Sequence, residues 1–212
     1  MTQPDVVLTD YAFALQCLVF ACLLRPKRRA TPFAFWFFIF FLSTAGAAAV
    51  AGTVHGFFEA PASLGSRILW PLSMLAIGVT SLAGARIAAL LHFHPIVALR
   101  ISQTAAVLFV VYCVVVLFVT DNFLVAIAAY LPVTLLLGWV FLQAYRRTGR
   151  PPFLYGFAGI CVVLVAAAAQ QARIGIHPRY FNHNALYHVL QALGFFLIFV
   201  TARDVCRIEV RP

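Results

Sequence analysis

Seven apolar runs divide this chain, near 6–24, 33–57, 68–91, 96–119, 122–144, 153–174 and 183–202, and breaks containing Pro, Arg or Gly separate them. Each run is close to the length of about 20 residues that a helix needs to cross the hydrocarbon core of a bilayer. No water reaches the backbone inside that core, so every N–H and C=O must be satisfied within its own segment, which a helix does. With 64% of 212 residues hydrophobic and 10% charged, the composition excludes a soluble globular domain of ordinary make-up. The reading is all-α: a polytopic membrane protein in which 1–212 form one seven-transmembrane-helix bundle. No fixed-period repeat, low-complexity tail or long linker marks a second domain.

The opening MTQPDVVLTD has two Asp and no Lys or Arg, so it lacks the basic start of a secretory signal, and the first helix is expected to stay in the mature protein. Orientation follows from the basic residues. Twelve (Arg25, Lys27, Arg28 and Arg29; Arg86 and Arg100; Arg146, Arg147 and Arg150; Arg203, Arg207 and Arg211) fall at one set of ends, and three (Arg67, Arg173, Arg179) at the other. This predicts an N-terminus outside and a C-terminus in the cytoplasm, in a bacterial inner membrane. The net charge of +9 then reads as a topology signal in contact with anionic membrane lipids, and nucleic acid is not an expected partner. The five cysteines form no C-x-x-C pair, so neither a structural disulfide nor a thiolate metal site is expected. Oligomeric state is left open.

Ionisable side chains inside spans are costly and mark candidate sites. Here they collect at the outer ends. Asp10 lies in LTDYAF, His55 in AGTVHGFF, and His188 in FNHNALYHVLQALGFFLIF, about 8 Å below the helix start at 1.5 Å per residue. Gln170, Gln171 and Arg173 end the sixth run on the same side, and His177 follows in the loop. Spacings of four and three put Asn184, His188 and Gln191 on one face. His183 and His188 are five apart, about 140° around a straight helix, but with Asn182 as N-cap His183 falls in the first turn and can lean inward. Several of these have simpler roles: Asp10 or Asn184 as caps, Tyr187 in an aromatic belt, and Gln191 as a bridge between helices. STAGAAAVAGT in the second run permits either close helix packing or space beside His55. His92 and His94, at the other side, are expected to meet only headgroups and water, and whether Asp121 joins the site is open.

LTDY near the start, G-T-V-H-G-F after the second run and F-N-H-N-x-L-Y-H-x-x-Q opening the last resemble a family of uncharacterised bacterial seven-helix membrane proteins, over nearly the whole chain. More distantly, the pattern resembles the alkaline ceramidases and progestin/adiponectin-type receptors, in which zinc is held by one histidine of the second helix and two of the seventh. That resemblance implies His55, His183 and His188 as zinc ligands, a zinc-bound water as nucleophile and Asp10 as its base or as the group that orients it. The depth of Asn184, Tyr187, Gln191, Gln170, Gln171, Arg173 and His177 makes them candidates to support those groups or to bind the substrate. The first expected function is thus a zinc-dependent hydrolase of a lipid amide or ester at the outer leaflet. A haem or other redox protein using His55 and His188 is the alternative, and a non-enzymatic receptor or assembly protein the third. Retinal is excluded, because the only lysine, Lys27, lies in a loop.

Overall fold

The computed structural model describes residues 3–25, 31–177 and 180–208. Of the residues used above for orientation, Lys27, Arg28, Arg29, Arg179 and Arg211 lie outside these ranges. Among the described residues seven helices follow one another: α1 Pro4–Leu24, α2 Pro32–Phe57, α3 Leu64–His92, α4 Pro95–Phe118, α5 Phe123–Thr148, α6 Pro151–Gln171 and α7 His183–Ile208. All are long and apolar enough to span a membrane, and the chain is an integral membrane protein.

The punctuation of the sequence explains where the helices start. Prolines open α1, α2, α4 and α6, at the position where a missing N–H costs nothing and a fixed φ already suits the helix. Side chains cap three others. Ser63 accepts from the Ser66 amide, Asn122 from Leu124, and Asn182 from both Asn184 and Ala185. The Ser63 cap lengthens α3 by about a turn beyond the expected run and places Pro71 inside it. Pro132 lies within α5, which continues through it. At the other extreme α6 stops at Gln171, three residues early, because Arg173 turns left-handed at φ 55°.

Contacts pass from α1 to α2, from α2 to α3, from α3 to α5, from α5 to α6 and from α6 to α7, and α7 returns to α1. These six helices form a closed ring. α4 leans on α3 from outside and barely meets α5. Hydrogen bonds identify the ends that lie together. At one end the Gln3 amide donates to Glu59, the Asn182 backbone amide to Asp5, and the Trp70 indole to the Asp121 carbonyl. At the other, Arg150 meets Asp204 at 2.8 Å, and Thr201 donates to the Pro152 carbonyl.

Candidate functional site

Within the ring, toward the end that carries Gln3 and Asn182, lies a cavity of about 580 Å³ whose wall is mostly apolar. All six ring helices line it and α4 does not. Small residues of α2 leave part of the space: Thr44, Ala47, Ala48 and Ala51 face it. The same stretch also serves close packing. A Cβ on Gly52 would stand 2.8 Å from Asp10 Cβ, so α1 approaches α2 there only because residue 52 has no side chain. The two readings of the small-residue segment hold together, on different faces of one helix. Below, Phe13 and Phe195 close the cavity, edge to face at 5.1 Å.

The polar layer anticipated in the sequence divides into residues that reach this cavity and residues that do not. Asp10, His55, His188, Asn184, Tyr187, Gln191, Gln170 and Gln171 line it. His183, Arg173 and His177 are not on its wall. His183 begins α7 half-buried, its backbone against Gly175. Arg173 ends α6, and His177 takes part in a short backbone pairing with Phe181. Asp121 is exposed and contributes only the carbonyl that holds Trp70, whose ring does line the cavity.

At the centre is a pair that spans the sequence. His188 Nε2 lies 3.2 Å from Asp10 Oδ1, with Asp10 1% and His188 8% exposed. Asp10 is well inside α1 and is no cap. Nδ1 of His188 lies 3.2 Å from the Thr9 hydroxyl, which is also 2.9 Å from the carbonyls of Asp5 and Val6. Both ring nitrogens are therefore occupied by α1. The other carboxyl oxygen, Asp10 Oδ2, is buried and has no hydrogen-bond partner among the described residues.

Around the pair the amides form a chain. Gln171 donates to Gln170 Oε1, and Gln170 donates to Asn184 Oδ1 at 3.2 Å, tying α6 to α7. Asn184 is thus a bridge, whereas Asn182 is the cap. Gln191 donates to the Tyr187 hydroxyl at 2.6 Å, one turn back on its own helix, and so does not bridge helices. The His55 ring stands edge-on to Trp70 at 6.2 Å.

The donor set does not suit a three-histidine metal centre. Among the described residues no three His, Cys, Asp or Glu side chains come together closely enough to hold a metal ion. His183 is off the wall, and His188 would have to surrender Thr9 or Asp10 to free a nitrogen for zinc or for haem iron. What the arrangement can do is hold and move a proton at the wall of an apolar chamber. A hydroxyl beside an acid on one helix gives no signal in the sequence; only the approach of α7 gives Thr9 its place at the site. Ser73 and Thr80, hydroxyls within spans that carry no signal in the sequence, also face the cavity.

A model of a family of unknown function, DUF6962, matches residues 6–207. The chain belongs to that family. No curated protein and no solved structure matches it.

Proposed function

We propose that this member of DUF6962 takes the hydrocarbon chain of a membrane lipid into the cavity and hydrolyses an amide or ester at the lipid's polar end, with Asp10 and His188 as the acid–base pair. The observation that carries the reading is a buried carboxylate–imidazole contact on the wall of a mostly apolar cavity. Its volume of about 580 Å³ falls among sites that hold small ligands. Apolar walls suit an acyl chain.

Hydrolysis asks two things of the pair. As the oxygen of water bonds to the carbonyl carbon, a base must take its proton. As the C–N or C–O bond then breaks, an acid must return a proton to the departing atom, and one positioned pair can do both in turn. No step of this reaction requires zinc or haem.

The end of the bundle holding the cavity is proposed to face the outer leaflet of a bacterial inner membrane, with the C-terminus in the cytoplasm. The support is the twelve-to-three division of basic residues. In a cysteine-free background, a membrane-impermeant thiol reagent applied from outside should label His177→Cys and spare Lys27→Cys. The reverse pattern would turn the bundle over.

The catalytic reading is tested with purified protein and a panel of fluorogenic long-chain amides and esters. Turnover by the wild type should vanish in His188→Ala and persist in EDTA. Absence of wild-type turnover on every amide and ester would defeat the hydrolase assignment, and loss in EDTA would restore a metal to it.

A further inference from the structure

We infer that the polar end of the bound lipid is an uncharged hydrogen-bond donor, a hydroxyl or an amide N–H, received by Asp10 Oδ2. The inference rests on the cavity being a lipid site, and it does not require hydrolysis.

The protons around His188 can be counted. The Thr9 hydroxyl has one proton and directs it to the carbonyls of its own helix, 2.9 Å away at Asp5 and Val6. Its oxygen is then free to receive Nδ1–H from His188, 3.2 Å away. Nε2 and Asp10 Oδ1, 3.2 Å apart, then need one proton between them. Whichever of the two atoms holds that proton, the pair has no net charge. In both cases Oδ2 is an acceptor; it belongs to a residue that lines the cavity, lies on the side of Gly52, and is buried with no hydrogen-bond partner among the described residues.

The rest of the wall narrows the ligand further. No Lys or Arg lines the cavity among the described residues, so a carboxylate or phosphate would meet no fixed positive charge and would have to protonate His55 to gain one. An ammonium would meet a pair already neutral, and would have to displace its proton. The nearby amides already bond one another, Gln171 to Gln170 and Gln170 to Asn184. A neutral donor satisfies Oδ2 and leaves the wall otherwise unchanged.

Trp70, on the wall, is the reporter. The protein in phosphatidylcholine nanodiscs is titrated with an ω-brominated long-chain alcohol, its methyl ether and the matching carboxylate, and the saturable quenching absent from Trp70→Phe is recorded. The alcohol should bind about tenfold more tightly than the ether, as expected for one well-made hydrogen bond of about 1.4 kcal/mol, and the carboxylate should show no saturable component. Asp10→Asn should keep the preference for alcohol, since an amide can donate to Nε2 and still offer its oxygen, while Asp10→Ala should lose it. Equal binding of alcohol and ether, tightest binding of the carboxylate, or loss of the preference in Asp10→Asn would overturn the inference and leave the lipid site standing. No saturable quenching by any of the three would remove the lipid site itself.

Discussion

The two ends of the bundle solve opposite problems with the same helices, and α2 shows both solutions in one stretch. Its first half, FWFFIFFL, inserts Phe37, Phe40 and Phe41 into the packed interior, where Phe37 and Phe41 are fully buried. Its second half, STAGAAAVAGT, withdraws side chains and opens the cavity. At the aromatic end Phe20 stacks on Phe199 at 4.1 Å and stands edge-on to Phe41 at 5.5 Å. Such contacts add to the burial of the rings themselves and fill the ring of helices. At the cavity end the interior is incompletely filled and carries a few buried polar groups on a mostly apolar wall, and helix ends are tied by capping amides and a carboxylate. Tight packing and the cavity thus lie at different depths of one structure, with Phe13 and Phe195 as the partition.

This division sets the expected effects of substitution. The largest is on turnover: Asp10→Asn removes the proton that the pair exchanges and should lower the rate by about 10²–10⁴-fold, read with the fluorogenic substrates, while thermal unfolding in detergent stays near that of the wild type. An equal loss of stability would mean that Asp10 serves the packing and the two ends are not separate. Phe41→Ala should do the opposite, lowering stability by about 3–5 kcal/mol while ligand quenching of Trp70 in the folded fraction is kept.

Gly52→Ala sharpens the comparison, because it strikes the one place where packing and chemistry coincide. The added methyl meets Asp10 Cβ at 2.8 Å and should cost about 1–3 kcal/mol through overpacking, with turnover falling as the Asp10 carboxyl is pushed aside. Kept turnover would show that Asp10 tolerates displacement and is not the base. The smallest effect is expected at the far end: Arg150→Ala breaks a partly exposed ion pair with Asp204 and should change stability by less than about 1 kcal/mol, as such pairs do, leaving turnover untouched.

Much of this fold is legible in the chain because the bilayer imposes length and apolarity on each segment separately. The seven runs, the Asn182 cap and the gathering of Asp10, His55 and His188 at one end all follow from local spacing and from the cost of burying polar groups. The helix ends are read less well where a cap or a left-handed residue sets the boundary, as at Ser63 and Arg173.

What the sequence by itself determined is therefore depth: which residues lie near which end of a helix, since 1.5 Å of rise per residue converts position into height. What only the tertiary structure decided is direction around the axis. Asp10 meets His188 across 177 intervening positions, Thr9 occupies the other ring nitrogen, His183 falls off the wall, and α4 is left outside the ring. Rotation about a helix axis is set by how neighbouring helices pack, here by the absence of a side chain at Gly52 and by the Gly159 and Gly194 backbones that bring α6 against α7. Those contacts are made between segments far apart in sequence, so no single segment's spacing contains them.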